Sequence, residues 1–367
     1  MPSPSAAVSA AAAVACAGFV WALAACCCVG PNVAEASLQG LYAVQPSSGQ
    51  LQRIDWMTGN TTNIGTSLQR KGWHVADCTP ADIDRTGKWI FVLAKPISQG
   101  SSSRGLHDLE RTPWSLLGIL LADGTVRTTQ QLPSIFPASM DACEHVVSVN
   151  SGWDAIVTAV AGQGTPDPRL TVALFNYTFP TTRSVSVLVN QSLAAFHLGG
   201  WPQHPSACFD TNMATIWVQL EHGLLECSVV SGTCNRTLSF HLPEAGSVMT
   251  GLQYLQGSFV YGLVAAQANS STPVPVSGSG LVQSLGTFDP MAPSPAISLT
   301  SLSQPQHVQR GGTTVALVTD HAQMTFLTAQ GRLVTASTNG TVVSSAQLCD
   351  PKSPACVATM VYEPFVF

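Results

Sequence analysis

The sequence predicts an all-β fold, and three observations predict it. After residue 36, short β-branched and aromatic runs recur at close intervals. Each run is bounded by Gly, Pro, Asn, Ser or Thr, the punctuation of strands joined by turns. The same region carries almost no apolar spacing of the helical kind.

In chain order the first element is a leader. The first charged side chain is Glu35, and everything before it is alanine-rich and apolar. Residues 6–29 run about 24 positions without a charge, longer than the ~7–15 of a cleaved signal and enough for the ~20 of a bilayer span. Ala34-Glu35-Ala36 offers a small-X-small cleavage site and Ala22-Leu23-Ala24 an earlier one. Residues 1–36 are therefore read as a signal peptide or an N-terminal anchor, and residues 37–367 as one folded domain. Six Asn-X-Ser/Thr acceptors follow the leader: Asn60, Asn176, Asn190, Asn235, Asn269 and Asn339. A leader followed by many acceptors predicts a glycosylated protein, secreted or held at the extracellular surface.

Composition narrows the function classes. Residues 37–367 hold all 15 Lys and Arg and 19 of the 20 acidic residues, a net charge near −4. That is no electrostatic footprint for nucleic acid. A membrane partner is expected only through an uncleaved leader. Hydrophobic content of 45% supplies a large core.

The clearest folding unit spans residues 41–65, LYAVQPSSGQLQRIDWMTGNTTNIG. It reads as strand, Ser-Ser-Gly turn, strand, Thr-Gly-Asn turn, strand, the outer three strands of a propeller blade. Comparable orders start at 89–93, 155–160, 215–218, 258–264 and 314–318. DRTGKWIFV from Asp84 and DTNMATIWV from Asp210 align best, each preceded by a Gly-Trp, a His and a Cys. Units that cannot bury their own faces stack around an axis. The expectation is a single β-propeller of about six blades, within a range of six to seven. Residues 357–367, VATMVYEPFVF, would supply the innermost strand missing from the first unit and close the ring. Closure removes the exposed edge that an open arrangement leaves. A pair of β-sandwiches is the rival fold.

The 41–65 segment, with its Leu-Tyr-Ala-Val strand, Ser-Gly turn and Thr-Gly turn, is similar to the repeats of extracellular β-propellers of the lactonase-like and surface-layer type. The resemblance implies sites on loops at the mouth of a central channel. It transfers no ligand or catalytic residue to a position of this chain.

Seven cysteines lie beyond the leader. Cys227/Cys234 and Cys349/Cys356, each bracketing turn residues, read as local disulfides. Cys78, Cys143 and Cys208 are left, at related places that suggest a structural staple between two blades; the odd count means one free thiol, an intermolecular bridge, or cleavage early enough to retain Cys26 to Cys28. A zinc site lacks any Cys-X2-Cys pair, so no metal is assigned.

Phosphate-cradling glycine loops, a Gly-X-Ser-X-Gly elbow and His-Glu-X-X-His are all absent from the sequence. Polar groups concentrate instead at three blade lead-ins: Trp73, His74 and Asp77; Asp141, Glu144 and His145; Trp201 and His204. Convergence at a channel mouth would make them ligand-binding residues. The structural alternative is packing by the tryptophans, solvated histidines and a cysteine staple. Two functions follow. One is a non-catalytic binding module for an extracellular glycan or protein, without a cofactor. The other is an extracellular hydrolase using carboxylate and His, assisted by a divalent cation.

Overall fold

The chain divides into residues Met1–Gln39 and Gly40–Phe367. The computed structural model describes residues 40–84, 86–97, 109–149, 154–161, 167–176, 184–196, 207–210, 215–220, 223–239, 248–255, 259–266, 280–289, 292, 297–308, 315–318, 323–328, 330–350, 356–357 and 359–362. The leader, and with it either reading of residues 1–36, lies outside that set. No helix among the described residues is long and apolar enough to cross a membrane.

The fold is an all-β, single β-propeller. In the first sheet Leu41–Val44, Leu51–Ile54 and Thr61–Ile64 form an antiparallel meander, as the 41–65 pattern predicts. Thr359–Tyr362 pairs on the other side of Leu41–Val44, with Leu41 opposite Tyr362 and Val44 opposite Thr359. Four further four-stranded sheets follow the same order. They are built on His145–Val149 to Ser184–Ser192, Ala207–Asp210 to Thr233–Ser239, Val248–Leu255 to Ser298–Val308, and Val315–Val318 to Val342–Gln347.

Equal units are not what the chain forms. Among the described residues there are five regular four-stranded blades, not the six or seven expected, and the sheet of residues 73–131 departs from that pattern with five strands. Its innermost edge is split: Trp73–His74 and Ala81–Ile83 both pair with Trp89–Pro96. Between them the chain leaves the ladder in a tight turn, Thr79 donating its N–H to Ala76 O and accepting Ala76 N–H at its hydroxyl. Pro80 then brings it back, its carbonyl accepting from Leu93.

Runs expected to open their units also occupy a different place. Trp89–Pro96, Asp154–Ala161, Thr215–Leu220 and Phe259–Ala266 are second strands, preceded by inner strands. Neighbouring blades cover a second strand on both faces, so it reads as a continuous apolar run. WIFVLAK is buried throughout. Two of the inner strands, ADI and ACFD, are short and partly polar, which is why the hydrophobic pattern does not reveal them.

Side chains from consecutive sheets interdigitate. Tyr42, Val44 and Leu51 meet Ile90, Val92 and Leu117 between the first and second sheets. Phe91, Leu93 and Trp114 meet Val147, Val157 and Phe175 between the second and third. Ile156 and Leu170 meet Ile216 and Leu225 between the third and fourth. Backbones also approach closely at the rim, where Gly65 (φ 58°) and Gly124 (φ 67°) face each other in left-handed turns. A Cβ on Gly124 would lie 2.8 Å from the Ile64 carbonyl, so both positive φ and the contact require glycine.

Three disulfides are formed: Cys227–Cys234, Cys349–Cys356 and Cys78–Cys143. The two local pairs are those expected from spacing, and the third is the staple between blades. Cys208 is the seventh cysteine, buried against Trp217, Leu224, Leu252 and Phe288.

Candidate functional site

The lead-ins of the second and third sheets are brought together. A 3-10 turn at Gln69–Lys71 ends on Gly72, whose φ of 83° turns the chain into Trp73–His74. Trp73 is half-buried against the core shared by the first two sheets. His74 is half-buried and Asp77 exposed. Cys78 then reaches Cys143 across 65 residues, joining this segment to the turn that carries Asp141 and Glu144.

Asp141 opens that turn for a physical reason. It is the N-cap of the 3-10 segment Ala142–Glu144, accepting the Cys143 N–H at 3.3 Å, while Glu144 Oε2 accepts the Asp141 N–H at 3.0 Å. Such a capping box satisfies donors that have no partner within the helix. His145 follows as the first residue of the inner strand. It is fully buried, stacked on Phe136 with ring centroids 6.0 Å apart and tilted against Trp114 at 5.9 Å. Its Nδ1 is 2.8 Å from the Asp141 carbonyl. Burial pushes the imidazole down to about 4, against the raising effects of the Asp141 and Ala142 backbone bonds. Among the described residues its Nε2 has no hydrogen-bond partner.

Lys95 is the hub the lead-in pattern did not reveal. Its Nζ donates to the Leu109 and Ala138 carbonyls, each at 2.7 Å, and sits 4.5 Å from the Trp114 ring centre. Burial lowers its ammonium from the usual lysine range, while Asp141 and Glu110 oppose that shift. Its charge also helps hold the His74 imidazole down, second to burial itself, with Asp77 acting in the opposite sense. The available signal was a lysine inside an otherwise apolar central strand, WIFVLAKP.

Asp82 is the second such residue. It lies on the split inner strand, where Oδ1 accepts the Ile83 N–H and Oδ2 the Val149 N–H of the neighbouring sheet, each at 2.8 Å. Burial pushes its carboxyl up to about 7, the two N–H bonds pull it down, and Asp84 adds a smaller raising effect. Nothing in Pro80-Ala81-Asp82-Ile83 distinguishes this carboxylate from a surface one.

Trp201 and His204 lie outside the described residues, so their part in the site does not bear on this geometry. Ligand atoms of Cys78, Asp141 and Cys143 lie within 4.8 Å of one another. Both sulfurs are bonded to each other. A metal at that place would need thiolates, so the donor set present does not fit one. On the two segments joined by Cys78–Cys143, Asp77 and Asp141 are exposed and Trp73 and His74 half-buried.

No protein-family profile and no curated protein sequence matches the chain. Similar solved structures include Kuenenia stuttgartiensis hydrazine synthase, at 8% identity and TM-score 0.45 over 81% of this chain and 76% of that one. A puromycin-hydrolysing peptidase of Mycobacterium tuberculosis is similar at 12% identity and TM-score 0.44, over 81% of this chain and 41% of that one. The β-propeller domain of Myceliophteria thermophila Cps50 (Swd1) is similar at 12% identity and TM-score 0.43, over 84% and 86%. Likeness at this level concerns the fold alone.

Proposed function

We propose that residues 37–367 are a secreted or surface-tethered, N-glycosylated β-propeller that binds an extracellular glycan or protein without catalysis. The observation that carries the reading is how the lead-in groups divide. The side chains of Asp141 and Glu144 cap a turn and His145 is enclosed by aromatic rings, while Asp77 and Asp141 are exposed and Trp73 and His74 half-buried.

The ring reading has its own support. Thr359–Tyr362 lies against Ala81–Ile83 on one side and Val315–Val318 on the other. Successive contacts run from Ala81–Ile83 through His145–Val149, Ala207–Asp210 and Val248–Leu255 back to Val315–Val318. Closure by the C-terminal strand accounts for that circuit. Three disulfides fit an oxidising compartment. Asn60, Asn190, Asn235 and Asn339 are exposed and Asn176 half-buried, which suits glycan attachment.

A second reading, the extracellular hydrolase, is favoured by Asp82 alone. A carboxyl held near neutrality is matched to general acid-base work. Glycan-array binding by the secreted protein, with the array ligands recovered unchanged, supports the binder. Turnover that disappears in Asp82→Asn supports the hydrolase.

A further inference from the structure

The five regular blades all carry a glycosylation acceptor within their sequence span, and the second sheet carries none. Asn60 immediately precedes the outermost strand of the first sheet, Asn190 and Asn235 lie within the outermost strands of the third and fourth, and Asn339 precedes that of the last. Asn269 falls between the second and third strands of the fifth unit, outside the described residues. From 61 to 175 there is no acceptor, and this interval contains the whole sheet of residues 73–131.

That sheet ends on Val126–Gln131, VRTTQQ, with Arg127, Thr129 and Gln131 exposed. A terminal strand presents unpaired N–H and C=O groups ready to template another strand. The fifth unit's terminal strand is interrupted by Pro305, and the others stand beside acceptors. Val126–Gln131 has no proline, and its single charge, Arg127, is paired within the chain to Asp123 at 3.5 Å. A β-bulge at Arg127 bends its start, which leaves Thr128–Gln131 as the regular edge. The strand is also self-complementary. In a two-fold antiparallel pair centred on Thr129, Thr129 faces its own copy, Thr128 faces Gln130 and Arg127 faces Gln131. No like charges oppose, and Thr–Thr pairs are favourable across strands.

We propose that Val126–Gln131 is the contact through which two copies of this chain pair, edge to edge and related by a two-fold axis, at the one glycan-free blade rim. The inference rests on the glycosylation reading above. An isologous contact of this kind closes on itself and does not propagate into fibres.

Sedimentation velocity on the full secreted glycoprotein tests it. The expected result is a dimer at micromolar concentration. Arg127→Asn completes an Asn-X-Thr acceptor with Thr129, places a glycan on the strand and gives a monomer of greater mass. Arg127→Gln, and Arg127→Asn combined with Thr129→Ala, lack that acceptor and remain dimeric. Gln131→Arg sets Arg against Arg twice and weakens the dimer at least tenfold without a glycan. A monomeric wild-type protein overturns the inference, as does a dimer that survives both the added glycan and Gln131→Arg. Enzymatic deglycosylation reads the premise separately: a protein that loses no mass ends the glycosylation reading, and the glycan-free rim with it.

Discussion

Asp82 and His145 titrate in opposite senses over the same pH range. For Asp82 the folded value, about 7, lies above the ordinary carboxyl value of 3.8. Its favourable contribution is complete below the unfolded value and is lost as pH rises through the folded one. For His145 the folded value, about 4, lies below 6.5. Its contribution is complete above the unfolded value and is lost as pH falls through the folded one. The two slopes oppose each other in the wild-type protein between about pH 4 and 6.5. Urea midpoints across that range will separate them: relative to wild type, Asp82→Asn gains stability as pH rises, and His145→Phe loses it. Slopes of the same sign in both variants would contradict the assigned burial. Lys95→Met makes a plainer case. It strips both carbonyls of their donor, and chemical unfolding will show a loss of about 1–3 kcal/mol. Of these residues only His145 was legible in the sequence, as part of a polar lead-in. Asp82 and Lys95 acquire their character from the neighbouring sheet and from loops 14 and 43 residues away from Lys95, which no local pattern encodes.

At the scale of elements, turn chemistry and cysteine spacing were the readable signals. The 41–65 meander and the two cysteine pairs separated by 7 residues follow from them directly. Two first strands, Ala81–Ile83 and Ala207–Asp210, were not readable, because they are short and partly polar and lack the apolar run that marks the strand behind. Cys78–Cys143 was foreseen as a staple, and the structure supplies its partner and its place beside the ligand candidates. A cross-link constrains the unfolded chain more when its loop is longer. Replacing Cys78 and Cys143 by Ala therefore costs about 4 kcal/mol for the 65-residue separation, against about 2 kcal/mol for Cys227 and Cys234 across 7. Denaturant unfolding of the two double variants checks the ranking, and equal losses would contradict it.

Across the whole molecule, the C-terminal strand links the two ends of the described fold. Met360 enters the cluster with Leu41 and Leu327, and Val361 the one with Tyr42 and Ile90. Alternate residues of one strand thus pack toward different neighbouring sheets. Met360→Ala leaves a cavity in that junction and will lower the unfolding free energy by about 2–5 kcal/mol. The loss will appear equally by tryptophan fluorescence and far-UV circular dichroism if the ring unfolds as a unit. Early loss of only one signal would mean that the strand frays by itself. Pairing of Thr359–Tyr362 with Leu41–Val44 was legible because the 41–65 unit lacks a first strand and residues 357–367 form an apolar run. The one irregular blade was not, since its break depends on how Thr79, Pro80 and the cysteine staple bend the chain.

Glycan-array binding by the intact secreted protein bears most directly on the proposed role of the joined lead-ins. The account predicts saturable binding, with bound ligand recovered unchanged, that falls at least tenfold in Trp73→Ala and Asp77→Ala and persists in Arg127→Gln. Binding indifferent to Trp73 and Asp77, or ligand recovered as cleaved product, would contradict it.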